Sequence, residues 1–506
     1  MHRLLIAVAI FVVSNSLIDA ADRPNVLLIM ADDLNNMLGC YGDQRAKTPN
    51  IDRLAARGMR FDRAYCQFPL CGPSRNAMLT GLYCNSTGIY GNGQIFRQTI
   101  PGHCSLPQAF RLDGYFAARV GKLYHYGVPG SIGTAGHDDP ASWEWTMQPA
   151  GCDRLEEQPQ IFSLQPGQFG GTLSWYASPK PDKYHTDSLQ ADAAELILDD
   201  CAKHKDRPFF VGVGFFRPHT PYVSPKKYFE LYPKAEMPVV ENVAEDQADI
   251  PAAGLASKKK EQDTMTDDTR RECRQAYLAS ISFMDAQVGR VLDALDRTGL
   301  ADNTIIVFTS DHGYHMGEHG LWQKMSLFEE SSRVPLIIVA PGVTKPNTAA
   351  KAPVAHLDLY PTLAQLCSVE SPKNLQGQSL VPMLKDPAVE GRGWALTQVS
   401  RNARVGTKEA GKGVREPKRF FGYTLRTPRW RYTEWDEGRQ GRELYDHDAD
   451  PRELTNLAEK PEHADVVSEL SEKIRTAASS SFPSSGSAPE LKKEGLWYPS
   501  LTDADE

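Results

Sequence analysis

The sequence has no Cys-x-x-Cys pair, no zinc-like Cys/His spacing, no internal repeat and no heptad run, and after its first residues no apolar stretch long enough to cross a bilayer. These absences exclude a zinc ribbon, a thioredoxin-like redox protein, a solenoid, a coiled coil and a polytopic membrane protein. Basic clusters are scarce as well. The nearest to one is Lys258, Lys259 and Lys260, which reads as part of a solvated loop. A formal net charge of -8 excludes holding a polyanion through overall basicity, so nucleic acid is not an expected partner. An anionic ligand must be gripped by local cations instead.

What is present is the composition of a globular protein: 41% hydrophobic and 24% charged residues, with 39 Gly and 35 Pro that mark many turns and long loops. Met1, His2 and Arg3 precede an apolar stretch at 4–13 that is too short to span a membrane, and small residues follow at Ala20 and Ala21. Residues 1–21 therefore read as a signal peptide, and export is expected: periplasmic or extracellular in a bacterium, lysosomal or secreted in a eukaryote. Nine cysteines are an odd number for an exported chain, which directs attention to one with another task. Setting Cys71 aside leaves eight, a number that permits disulfides. Asn85-Ser86-Thr87 is a glycosylation sequon, meaningful only in a eukaryotic host.

Apolar runs at 26–30, 116–120, 209–216, 304–309 and 335–339 alternate with helical patterns, which predicts an α/β layered fold around a large, mostly parallel central sheet. The clearest helix is 271–298, where Tyr277, Leu278, Ile281, Met284, Val288, Val291, Leu292 and Leu295 recur at three- and four-residue steps before Gly299. Shorter helices are expected at 189–198 and 357–366. The segment 233–268 is polar and lysine-rich without periodicity, which predicts a surface excursion. Beyond Cys367 the pattern changes to aromatic-rich stretches at 420–425 and 430–435 and a closing helix at 464–478. The expected division is a main unit at 22–367, a smaller α+β subdomain with an antiparallel sheet at 368–478, and a Ser/Pro-rich tail at 479–506. Tyr423, Trp430 and Trp435 are expected to fill the core of the small sheet rather than to line a sugar subsite.

Chemistry gathers at predicted strand ends. Asp32 and Asp33 follow the strand 26–30, and Asp311 and His312 follow the strand 304–309, so three carboxylates and an imidazole reach one sheet edge, where ligands collect in open α/β sheets. The carboxylates favour Ca²⁺ or Mg²⁺, whereas His312 would suit zinc or iron better, and the residues alone leave the metal open. In Cys71-Gly72-Pro73-Ser74-Arg75, Pro73 suits the first turn of a helix and Gly81 its exit, so Cys71 stands at the helix N-terminus with Arg75 one turn later on the same side. A helix N-terminus attracts anions and lowers a thiol pKa, which makes Cys71 a candidate nucleophile beside an anion-binding arginine. A disulfide cysteine ahead of a capped helix is the plain alternative.

Cys71 to Arg75, followed by Leu79-Thr80-Gly81, resembles the Cys-x-Pro-x-Arg signature of the type I sulfatases, and the resemblance extends from Asn25–Asp33 to Glu443–Pro451. It implies an alkaline-phosphatase-like layered sandwich and a Cys71 oxidised to formylglycine by a separate maturation enzyme. It implies one Ca²⁺ held by Asp32, Asp33, Asp311 and His312 with the modified Cys71. Many of these enzymes have Asn in place of His312, and His there is similar to the iduronate-2-sulfatase branch, as are the segments 121–125, 216–221 and 317–324. By that resemblance Arg75, Lys122, His125, His219 and Lys324 form the sulfate site. Formylglycine supplies the nucleophile, calcium with Arg75, Lys122 and Lys324 neutralises the sulfuryl oxygens, and His219, assisted by His125, protonates the leaving oxygen. The expected substrate is a sulfated saccharide, with a sulfated uronic acid of a glycosaminoglycan as the form the branch suggests. Two alternatives stand beside it. One is a phosphatase or phosphodiesterase of the same fold, against which Cys71, Pro73 and Arg75 argue because such enzymes usually carry Ser or Thr and two zinc ions. The other is a non-catalytic protein that binds sulfated glycans.

Overall fold

The structure, a computed structural model, describes residues 23–402 and 419–492. The expected signal peptide at 1–21 and the end of the expected tail lie outside the described residues. Strand β1 (Asn25–Ala31) is buried at every position, as a run with apolar residues on both faces requires. The main unit continues with β2 (Met59–Phe61), α1 (Cys71–Thr80), β3 (Phe116–Gly121), β4 (Trp145–Met147), α2 (Thr186–Cys201), β5 (Phe209–Gly214), α3 (Asp267–Arg297), β6 (Thr304–Ser310), β7 (Leu336–Val339), β8 (Thr348–Ala350) and α4 (Leu359–Cys367).

These strands form one sheet in the order β8-β2-β7-β6-β1-β5-β3-β4. The half around β1 is parallel: β1 pairs in parallel with β6 and with β5, β5 with β3, and β3 with β4. Only β7 runs against its neighbours β6 and β2. The C-terminal ends of β1, β3, β5 and β6 therefore open on one edge. Alternate residues of β1 supply the two cores, Leu27 and Ile29 packing with α2 and α3 on one face, Val26, Leu28 and Met30 with Met78, Leu79 and Leu363 on the other. The apolar stripe of α3 behaves as its periodicity predicts, with Tyr277, Leu278, Ile281 and Met284 wholly buried. Its start lies earlier than predicted, at a cap where the Thr266 side chain accepts from the Thr269 amide.

A second sheet, β9 (Ala395–Asn402), β10 (Arg419–Arg426), β11 (Trp430–Trp435) and β12 (Arg442–Asp446), is antiparallel throughout and is covered by α5 (Ala464–Ser480). Leu396, Leu425, Tyr432 and Leu444 pack with Leu470 and Ile474 of α5 on one face. Trp435 is buried on the other, against Phe68, Ala77 and Val399 of the junction with the main unit.

Four features differ from the sequence reading. All nine cysteines are free thiols. Asn85 of the sequon is buried, its Nδ2 donating to the Tyr423 hydroxyl at 3.0 Å and the Ser481 hydroxyl at 2.7 Å, so the site is closed to a glycan in the folded chain. The start of the expected tail folds back: Ser481 is buried and the Lys492 amide donates to the Gln98 carbonyl at 2.8 Å. The segment 233–268 is a run of short turns and short helical pieces that buries Met237, Ile250 and Ala253 and turns Lys259 inward, whereas Lys258 and Lys260 are exposed as expected. Among the described residues no helix is long and apolar enough to cross a membrane.

Candidate active site

Helix α1 begins at Cys71 and ends at Gly81, whose φ of 67° places it in the left-handed region that glycine adopts freely. Every residue of α1 is buried. Arg75, one turn after Cys71, ties three strand ends together. Its Nη2 donates to Asp32 Oδ1 at 2.9 Å, its Nε to Asp311 Oδ2 at 3.0 Å, and its Nη1 to the carbonyls of Lys122 and Leu123. Lys122 donates to Asp32 Oδ2 at 2.6 Å, and Lys324 donates to Asp33 Oδ1 at 2.5 Å while its Nζ lies 3.1 Å from Cys71 Sγ.

His312 Nε2 stands 3.4 Å from Cys71 Sγ, 3.3 Å from Asp33 Oδ1 and 3.5 Å from Asp311 Oδ2. Its Nδ1 lies 2.9 Å from the Gly313 carbonyl, an acceptor that fixes the proton on Nδ1 and leaves the Nε2 lone pair for the cluster. Ligand atoms of Asp33, Cys71, Asp311 and His312 lie within 4.8 Å of one another, as a cation site requires. Asp33 Oδ2 is buried without a hydrogen-bond partner, and His219 Nε2 is 3.6 Å away. That orphaned oxygen fits a cation ligand. Asp32 stands beside this group with both oxygens engaged by Arg75 and Lys122.

Burial pushes the Asp32 carboxyl up to about 7 against the pull of Lys122 and Arg75. Burial acts on Asp33 in the same sense, yet His219, Lys324 and His312 outweigh it and hold that carboxyl at about 2. Asp311, buried too, is drawn well below the usual carboxylate range by Arg75 and His312. Burial raises the Cys71 thiol, with Lys122 and Lys324 opposing it only in part. The thiol is thus raised rather than made acidic, because desolvation outweighs the two neighbouring lysines and Asp311 and Asp32 add to it. Burial also depresses His219, His312 and His125, and for His125 the charges of Lys122, Arg75 and Lys324 add to the effect.

Lys324 and His219 connect the cluster to a cavity of about 390 Å³ that is also lined by His125, Asn92, Lys259 and Gln323, among others, while the carboxylates of the cluster lie behind this lining. His125 stands in the wall, joined by a backbone bridge to His137, with its Nδ1 buried and unpartnered. The structure therefore brings Cys71, Arg75, Lys122, Lys324, Asp32, Asp33, Asp311, His312 and His219 into one cluster, and His125 borders it across the cavity. Asn92, Lys259 and Gln323 escaped the sequence reading. Asn92 Oδ1 accepts the Gly72 amide at 2.8 Å, and Lys259 Nζ donates to Gln323 Oε1 at 2.5 Å. Gln323 follows from its place beside Lys324; for Asn92 and Lys259 no local pattern exists. Lys324 lies between two residues of positive φ, Gln323 at 71° and Met325 at 73°. Such backbone costs roughly 1–3 kcal/mol per residue and persists only where neighbours enforce it. The enforcement comes from the second sheet: Arg401 donates to the Met325 carbonyl at 2.7 Å and Arg431 to the Leu327 carbonyl at 2.9 Å.

With this geometry in view, the chain was compared with known proteins. It is 31% identical over 525 residues to iduronate 2-sulfatase of Mus musculus, covering 89% of this chain and 94% of that protein. It is 32% identical over 459 residues to choline-sulfatase of Rhizobium meliloti, covering 87% and 83%. The phosphonate monoester hydrolase of Agrobacterium radiobacter superposes with a TM-score of 0.71 at 25% identity, covering 91% of this chain and 96% of the other, which accords with an alkaline-phosphatase-like fold. A family model described as N-sulphoglucosamine sulphohydrolase, C-terminal, matches residues 317–480. Because the sulfatase family model matches residues 24–369, the span that holds every residue of the cluster, the chain belongs to the sulfatase family.

Proposed function

We propose that this sulfatase removes sulfate from a sulfated saccharide in the manner of iduronate-2-sulfatase, after a maturation enzyme has converted Cys71 to formylglycine, and with one Ca²⁺ bound. The observation that carries this reading is the position of Cys71 Sγ at the head of α1, within 3.1 Å of Lys324 Nζ and 3.4 Å of His312 Nε2. Asp32, Asp33, Asp311, His312 and the modified Cys71 would hold the cation. Together these groups would supply a hydrated aldehyde as nucleophile and a Lewis acid that raises its acidity.

The remaining work falls to the chain's own side chains. Lys324 and Lys122 offset negative charge on the sulfuryl oxygens, and Arg75 contributes mainly by fixing Asp32 and Asp311. The contact of His219 Nδ1 with the Thr220 carbonyl orients its ring, and Nε2 lies 3.6 Å from Asp33 Oδ2. Burial depresses this imidazole, Asp33 opposes that, and Lys324 and Lys122 add to the depression, so an anionic ester beside the two lysines would favour the protonated ring. A proton taken from solvent as the anionic ester docks would then be the one this ring delivers to the leaving oxygen, with His125 positioned to assist. Export through residues 1–21 belongs to the same proposal.

Support for the iduronate-like form comes from His312 and the segments 121–125, 216–221 and 317–324. Mass spectrometry of the Cys71 peptide, combined with kcat/KM on matched sulfate and phosphonate monoesters, tests the reading. Formylglycine and a preference for sulfate are expected. An unmodified thiol in active protein, or a preference for the phosphonate ester, would overturn it in favour of the phosphatase-like alternative.

A further inference from the structure

We infer that Lys259 forms a subsite for a second anionic group on the substrate, so that the ester this enzyme prefers carries a carboxylate or a further sulfate next to the one it loses. The inference rests on the proposed sulfatase activity and refines its substrate class. It begins with a contrast among the cations at the cavity. Arg75, Lys122 and Lys324 each donate to a carboxylate of the cluster. Lys259 does not: its ammonium donates to two neutral acceptors, Gln323 Oε1 and the Gly171 carbonyl, and no carboxylate of the described residues lies within ion-pair distance. An ammonium has three N–H donors, so one remains for a ligand.

The surroundings favour an anion at that position. The cavity is lined by Lys259, Lys324, His125 and His219, and neither Asp nor Glu is among its lining residues. Burial lowers the affinity of Lys259 for its proton and the charge of Lys324 adds to the effect, while Glu261 and, less, the more deeply placed Asp33 oppose it. A half-buried ammonium that feels a neighbouring ammonium is relieved by a negative ligand and opposed by a positive one. The same arrangement disfavours a sulfate ester whose alcohol bears a quaternary ammonium, because the cavity offers no acid to receive it and two lysines to repel it. Gln323 holds Lys259 at the mouth while the adjacent Lys324 meets the cluster below. An anion beside the ester is then held in the ground state and in the transition state alike, which lowers KM rather than raising kcat.

The test uses three sulfated saccharides of one ring type: a monosulfated uronic acid, its carboxyl-reduced counterpart, and a neutral sugar with two sulfates. Wild-type enzyme, Lys259→Met and Lys259→Arg are compared on each. For Lys259→Met, KM is expected to rise about tenfold or more on the substrates with a second anion, kcat to stay within about threefold, and the carboxyl-reduced sugar to be hydrolysed nearly as by wild type. Lys259→Arg should restore the preference. A rise confined to the uronic acid assigns the subsite to carboxylate; a rise confined to the disulfated sugar assigns it to sulfate. An equal loss on all three substrates, or no change on any, overturns the inference and leaves the sulfatase reading intact. Failure of the wild-type enzyme to hydrolyse any sulfate ester overturns both.

Discussion

Two buried clusters in this molecule both set carboxylates against basic side chains, and they end in opposite states. In the first, at the strand ends, Asp32, Asp33 and Asp311 meet Arg75, Lys122 and Lys324 below an open cavity, and one carboxylate oxygen, Asp33 Oδ2, is left without a hydrogen bond. In the second, at the junction with the small sheet, Arg431 donates to both Glu329 and Glu453. Glu453 also contacts His447 Nε2 at 2.7 Å and accepts the Glu329 amide at 2.8 Å, while Glu329 accepts the Tyr65 hydroxyl at 2.9 Å. Every oxygen of these two glutamates has a partner. Glutamates whose every oxygen is taken fasten parts of a fold together, and a cluster that keeps a carboxylate oxygen buried without a partner is arranged to receive something. The second serves the first, because Arg431 also holds the Leu327 carbonyl, three residues beyond Lys324.

The comparison can be broken most sharply at Cys71. Cys71→Ala should lower kcat by about 10⁴-fold or more while the melting temperature stays within a few degrees, since the side chain is small and the part proposed for it is chemical. Activity retained in purified variant, or collapse of the fold, would show that the first cluster is structural. Next in size is Arg431→Met, which leaves two glutamates buried without their cation and should cost about 3–5 kcal/mol of stability in thermal or denaturant unfolding. Because Arg431 also helps to hold the backbone beyond Lys324, the protein that remains folded should lose part of its kcat, but far less than Cys71→Ala does, and a loss comparable to that of Cys71→Ala would erase the distinction between the clusters.

The smallest effect concerns acid. Burial raises the Glu453 carboxyl, but Arg431 and His447 draw it down from 4.5 to about 2. A carboxyl depressed by folding stabilises fully above its ordinary value and loses that contribution as pH falls toward its folded value. Melting temperature should therefore fall between about pH 4.5 and pH 2, and Glu453→Gln should flatten that decline. An unchanged slope in the variant would remove Glu453 from the account.

Much of this could be read from the chain, and the rest was hidden for identifiable reasons. The stripe of α3 was legible because helical periodicity is local, and the strand-end position of Asp32, Asp33, Asp311 and His312 was legible because parallel strands must open on one edge. Lys259 was not, since an aperiodic segment gives no sign of where its side chains turn. The neutral thiol of Cys71 was missed because the helix N-terminus is a local feature, whereas desolvation depends on everything packed around α1. Asn85 shows the same limit: a sequon states chemical competence, and only packing against Tyr423 and Ser481 removes access.

The complete burial of α1 also sets an order of events. Cys71 has no surface that a maturation enzyme could grasp once the sheets have closed over it. If that residue is to become an aldehyde, the oxidation has to precede folding, on an extended segment around Cys71 to Arg75. Chain that folds too early would be locked in the thiol form, stable and without activity, so the yield of working enzyme becomes a race between two rates.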